Sequence, residues 1–189
     1  MAIRQPLPRP RRSSRYNGCR MTEAEYLALP EEKPYLEYVD GVVIQKPMPT
    51  AVHRKLVAFI VHALFNYQLQ FGGDSGPEGR IRLGDGPSYR ISDAAYWAPG
   101  RPSGDDSIPT LVVEVRSPEE TPGELREKCR FYRRNGVEVC WLVHPESRTV
   151  EVFDEGRDGE PFPGDAAIAS PALPGFTLSL AALFGSVPR

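Results

Sequence analysis

Two acidic residues stand among residues that build buried strands. Glu114 lies within Leu111-Val112-Val113-Glu114-Val115, and Asp93 within Ile91-Ser92-Asp93-Ala94-Ala95-Tyr96-Trp97. Strand side chains alternate between faces, so Asp93 is expected to share a face with Ile91, Ala95 and Trp97, and Glu114 with Val112 and Arg116. A carboxylate there loses its hydration unless something compensates. One compensation is an ion pair. The other is a divalent cation held jointly by the two acids, since magnesium takes hard oxygen ligands from one or two carboxylates and completes its shell with water and substrate phosphate.

Three more residues have types and positions suited to the same chemistry. Lys128 follows Leu125 by three and precedes Tyr132 by four, which puts it on the border of an inward helical stripe. It either snorkels along the core edge or positions a water and offsets charge on a phosphorane-like transition state. Glu37 shares a strand face with Tyr35 and Val39, as an ion-paired acid or an auxiliary one. His53 opens a long helix on the stripe of Val57, Ile60 and Leu64, where it is either a satisfied core histidine or reaches a site at the end of the sheet. His62 falls on the opposite face, and His144 and Cys140 have no metal-ligand spacing, so all three read as structural or solvated.

The elements that must position these residues are marked by local signals. Thr22 with Glu25 forms a capping box for a short helix stopped near Pro30, and Asp40-Gly41 joins strands at 35–39 and 42–46 as a type I′ hairpin. Apolar residues at helical spacing predict the longest helix over about 51–71, ended by Gly72-Gly73. Strands are expected near 77–83 and 89–97, across Gly84-Asp85-Gly86-Pro87, and at 109–115 after a loop over 98–107. Thr121, Pro122 and Glu124 start a helix running to about Arg134 and ending at Asn135-Gly136. A hairpin over 137–143 and 149–153, a Pro/Gly-rich remainder and a short helix near Leu180–Phe184 complete the chain. The pattern predicts an α+β domain around a mixed sheet.

Composition bounds the function. The 189 residues are 40% hydrophobic and 25% charged, with 17 glycines and 20 prolines, which suits one turn-rich globular domain. The net charge of −2 is uneven: residues 1–20 hold six arginines and no acid, leaving 17 bases against 25 acids in the rest. Residues 1–20 read as a basic, Pro/Arg-rich, disordered tail and 21–189 as a single domain, whose acidity excludes a uniformly basic nucleic-acid coat. No apolar run reaches the roughly 18 residues of a membrane span. Three widely spaced cysteines give no disulfide framework, which suits a reducing cytoplasm.

The ordered set Tyr35-Leu36-Glu37-Tyr38-Val39-Asp40-Gly41, His53, Asp93, Leu111-Val112-Val113-Glu114-Val115-Arg116-Ser117-Pro118 and Lys128…Tyr132…Gly136-Val137-Glu138…Trp141-Leu142-Val143…Pro145 resembles the Uma-type family of bacterial restriction endonucleases, whose activity is assigned mostly by homology. The resemblance spans about 22–155. It implies the PD-(D/E)xK nuclease superfamily: a restriction-endonuclease-like α/β core, a mixed sheet flanked by helices, and phosphodiester hydrolysis dependent on Mg²⁺ or Mn²⁺. On this resemblance Asp93 is the motif aspartate, Glu114 the motif acid, Glu37 an auxiliary acid and Lys128 a family lysine on the following helix. Arg116 replaces the motif lysine, and a guanidinium stays protonated and cannot act as a base. Ser92 replaces a proline, His144 an aspartate and Cys140 an aromatic residue; none of these changes touches the metal-ligand set.

These expectations combine into a metal-dependent deoxyribonuclease. Asp93, Glu114 and the Val115 carbonyl coordinate Mg²⁺, Lys128 orients water, Arg116 clamps phosphate, Glu37 contacts a second metal or its water shell, and His53 is accessory. DNA is attracted by Arg80, Arg82 and Arg90 near the site strands and by Arg126, Arg130, Arg133 and Arg134 on the helix. The expected partner is DNA, with a homodimer allowed by analogy, no membrane and no organic cofactor. Two alternatives stay open: a catalytically inactive nuclease-fold module that binds DNA or protein, and purely structural ion pairs around Glu114.

Overall fold

The computed structural model describes residues 13–84, 86, 88–162 and 167–188. The first layer is built from α1 (Glu23–Leu27), β1 (Leu36–Val39) and β2 (Val42–Gln45). Thr22 and Glu25 form the expected capping box on α1. Asp40 and Gly41 both take positive φ (51° and 80°), as a type I′ turn requires. The long helix α2 (Ala51–Phe71) follows, its first turn capped by the Thr50 side chain, which accepts from the His53 N–H.

Next come β3 (Asp74–Pro77), β4 (Arg80–Leu83), β5 (Ser88–Ile91), β6 (Ala94–Trp97) and β7 (Leu111–Val115). The expected continuous strand over 89–97 is broken at Ser92-Asp93. β5 joins β2, β1 and β4 in a four-stranded sheet, whereas β6 belongs to a second sheet. Asp93 therefore does not alternate with Ile91 and Ala95 on one face; it occupies the crossing between two sheets. Of the turn over 84–87, Asp85 and Pro87 lie outside the described residues.

The chain continues through α3 (Pro122–Arg134), β8 (Val139–His144), β9 (Thr149–Phe153), β10 (Asp158–Pro161), β11 (Ala167–Ser170), β12 (Leu173–Ser179) and α4 (Leu180–Gly185). The central sheet has the order β10-β9-β8-β7-β6-β3, with β7 and β8 parallel and the other pairs antiparallel. The parallel pair is joined through α3, which the second capping box (Thr121, Glu124) and Pro122 start.

Alternation along β7 decides what each face meets. Val113 and Val115 pack into the larger core with Leu56, Ile60 and Leu64 of α2, while Val112 packs with Leu125, Cys129 and Tyr132 of α3. The central sheet is thus covered by α2 on one face and α3 on the other, and Glu114, in phase with Val112, emerges on the α3 side.

Residues 13–20, expected to end a disordered tail, are instead bound along β2. The Gly18 N–H donates to the Val43 carbonyl at 2.8 Å and the Val43 N–H to the Cys19 carbonyl at 2.9 Å, so they cover what would be an open strand edge. The rest of the tail, 1–12, lies outside the described residues. Among the described residues no helix is long and apolar enough to cross a membrane.

Candidate active site

Six charged side chains, four from regular elements and two from the connections beside them, converge where the two sheets meet. Asp93 sits at the strand break, with its backbone N–H donating to the Val113 carbonyl at 3.1 Å. Glu37 comes from β1, Glu114 from β7, Arg90 from β5 and Lys128 from α3. Lys46 follows β2 directly. Its backbone N–H donates to the Tyr35 carbonyl at 2.9 Å, extending the hairpin ladder by one pair. The acids match the cations in number, three against three.

Each carboxylate at the centre divides its work between its two oxygens. Asp93 Oδ2 accepts from the Val115 N–H at 2.7 Å and lies 3.1 Å from His53 Nε2. Its Oδ1 accepts from Lys46 Nζ at 2.9 Å. Glu114 Oε1 accepts from the Tyr132 hydroxyl at 2.8 Å and lies 3.0 Å from Lys128 Nζ, while its Oε2 lies 4.0 Å from the same Lys46 nitrogen. One oxygen anchors each acid, and the other faces a shared ammonium.

Behind them Glu37 is enclosed by cations. Lys128 Nζ lies 2.9 Å from Oε1, Arg90 donates to Oε2 at 2.8 Å, and the Ile91 N–H donates to Oε1 at 2.9 Å. Glu37, Glu114 and Lys128 are only 3%, 2% and 7% exposed. Burial alone pushes the Glu37 carboxyl up, but Lys128, Arg90 and Lys46 outweigh it and hold the group at about 2. At Asp93 burial is again outweighed, by Lys46, His53 and the Val115 N–H, so its carboxyl is held well below the usual range. At Glu114 burial wins and its carboxyl is raised despite Lys128 and Lys46. Burial lowers both lysines, yet the acids around them raise them further, so both stay protonated.

The group opens on one side into a cleft of about 770 Å³. Lys46, His53, Asp93 and Ser117 line its floor, and Met48, Val57, Val61 and Phe65 form an apolar wall. Glu37, Glu114 and Lys128 lie behind that floor.

Asp93, Glu114, Glu37, Lys128 and His53 are therefore brought together as the sequence suggests, but the expected cationic residues are arranged differently. Arg116 turns to the Glu120 carbonyl at 2.9 Å and to the Glu146 carboxylate, because the chain leaves β7 there. Five of the seven arginines expected to attract DNA are engaged with an acid: Arg80 with Asp106, Arg82 with Glu23, Arg90 with Glu37, Arg126 with Glu151, and Arg130 with Asp158 and Glu127. They do not form a bare basic surface. Arg133 caps the Val137 and Glu138 carbonyls beyond α3.

Lys46 escaped the sequence reading. It ends the expected strand over 42–46, where a lysine reads as an ordinary strand end, and only the meeting of the hairpin with the strand break brings it to Asp93. His144 Nε2 lies 3.1 Å from the Glu151 carboxylate, and Cys140 is buried in the α3-side core, both in structural settings.

Among the described residues no group of three or more His, Cys, Asp or Glu side chains is placed to hold a metal, so a magnesium ion here would have two carboxylates as its side-chain donors. Asp93 Oδ1 and Glu114 Oε2 already share one cationic nitrogen, and both are the hard oxygen donors that magnesium prefers.

No curated protein matches this sequence. Among solved structures, the chain is similar to one from Anabaena variabilis ATCC 29413 described as a "putative nuclease belonging to DUF820". The two share 26% identity and a TM-score of 0.76, over 88% of this chain and 98% of that one. The likeness gives the architecture a restriction-endonuclease-like identity, as the mixed sheet between helices suggested. Residues 23–181 match the model of the Uma2 family, described as "Putative restriction endonuclease". With residues 23–181, most of its length, matched by the family model, this chain belongs to the Uma2 family.

Proposed function

We propose that the protein is a Mg²⁺-dependent endonuclease that hydrolyses phosphodiester bonds of DNA, and that Asp93 and Glu114 with the Val115 carbonyl hold the ion. One observation carries this reading: two carboxylates, one at the strand break and one on β7, each have an oxygen toward the same cation, at 2.9 and 4.0 Å, beside an open cleft. The bound ion would supply a water of lowered pKa and offset the charge on the attacked phosphate.

The chain's own residues set that position. The Val115 N–H and His53 fix Asp93 through Oδ2, and Tyr132 and Lys128 fix Glu114 through Oε1. Lys128 is protonated and enclosed by two acids, so it is a positioning residue and does not accept a proton. Glu37 acts through Lys128 and Arg90 and keeps their charge next to Glu114. The apolar wall excludes water from one side of the cleft, which strengthens each electrostatic contact on its floor.

A second reading is a catalytically inactive nuclease-fold module. It is favoured by the engagement of Lys46, which neutralises Asp93 without any metal. Plasmid nicking in Mg²⁺ or Mn²⁺ separates the two. The nuclease reading predicts cleavage that EDTA stops and that Asp93→Ala abolishes. Cleavage that survives Asp93→Ala refutes the site, and absence of metal-dependent cleavage on every DNA form leaves the inactive module.

A further inference from the structure

Lys46 is the only charged side chain among the described residues that touches Asp93 from the cleft side and also reaches Glu114. Its ammonium is 2.9 Å from Asp93 Oδ1, 4.0 Å from Glu114 Oε2 and 2.6 Å from the Ile91 carbonyl that it also binds. Lys128, by contrast, is committed to Glu37 and Glu114 on the far side. We propose that Lys46 is a resident cation that occupies the position between Asp93 and Glu114 in the metal-free protein and is exchanged for the divalent ion. This rests on the metal-dependent reading above.

Three features argue for exchange rather than coexistence. An ammonium and a divalent ion sharing the same two oxygens would repel each other at close range in a poorly screened setting. The Lys46 side chain is 13% exposed and lies on the cleft floor, so its flexible stem has a path outward. Its backbone is held by the Tyr35 carbonyl, so the ammonium can leave without unpairing the hairpin. Exchange removes one positive charge and brings in two, which suits a site about to receive a phosphate.

The test uses the full chain, stripped of metal and titrated with Mn²⁺ in a calorimeter, with melting followed in parallel. Lys46→Met is expected to melt below wild type without metal, because Asp93 loses its counter-charge. It is expected to bind Mn²⁺ about tenfold more tightly or better, since the ion no longer waits for an ammonium-out state populated a tenth of the time or less. Lys46→Arg, which keeps a cation, is expected to stay near wild-type affinity. Lys46→Gln supplies the same comparison if Lys46→Met melts too low to titrate. Binding to a folded Lys46→Met or Lys46→Gln that is equal to or weaker than wild type overturns the exchange while leaving the metal site standing. Absence of Mn²⁺ binding by wild type and variants alike overturns the metal reading together with it.

Discussion

The charged group has an inner and an outer half, and they differ in what surrounds them. The inner half, Glu37, Arg90, Lys128 and the Oε1 side of Glu114, is closed by β1, β5 and α3, with each carboxylate held by more than one partner. The outer half, Lys46, Asp93 and His53, faces the cleft and has the Lys46 ammonium as its main counter-charge. A buried network with every member paired fixes geometry, whereas a charge held at a cleft floor can be traded for a ligand. Under the proposed function, the difference separates residues that hold the site from residues to which its chemistry is assigned.

Lys128→Met should give the largest change in stability. It leaves Glu37 and Glu114 facing each other in the interior, at a cost of about 3–5 kcal/mol read from denaturant melting. If Lys128→Met melts like wild type, the inner half is not a closed unit.

Acid should break the inner half next. Glu37 is held at about 2 against an ordinary value of 4.5, so its stabilisation is full above the ordinary value and is lost as pH falls toward the lowered one. The linked contribution is on the order of 3 kcal/mol. Glu114, with its raised carboxyl, works in the opposite sense. The contribution of Glu37 is therefore read as the difference between wild type and Glu37→Gln from pH about 5 down to about 2. The variant is expected to lose less stability over that range, and an identical acid profile would contradict the assignment.

The surface arginines should matter least. Arg80 and Arg130 are engaged with Asp106 and with Asp158 and Glu127, and exposed pairs of this kind contribute little. Arg80→Gln and Arg130→Gln are expected to leave melting and plasmid nicking near wild type. A strong loss of nicking in either would restore them as DNA contacts.

Much of this site was legible in the sequence, for a physical reason. Glu114 and Asp93 interrupt apolar strand patterns, and Lys128 borders an apolar helical stripe; a charge in such a place needs a partner, and the partners proved to be one another. Thr22, Thr121 and Asp40-Gly41 marked their turns because capping and positive φ are local demands. What stayed hidden depends on distant chain meeting distant chain. The switch of sheets at Ser92-Asp93 leaves both flanks strand-like, so alternation alone reads straight through it. Lys46 lies 47 residues from Asp93, and at the end of its strand it reads as a solvated lysine. The arginines of α3 look like a basic face until β9 and the turn at Asp158 bring acids to them. β3 and β10–β12 contain glycine or proline or pair only through their neighbours, so propensity gives them little signal.

The division between the halves is tested most directly by measuring Mg²⁺-dependent plasmid nicking for Asp93→Asn and Lys128→Met, each at a temperature where it is fully folded. Asp93→Asn is expected to keep its fold and lose cleavage, while Lys128→Met is expected to lose stability and, where folded, keep measurable cleavage. A folded Asp93→Asn protein that cleaves as fast as wild type would contradict the assignment of chemistry to the outer half.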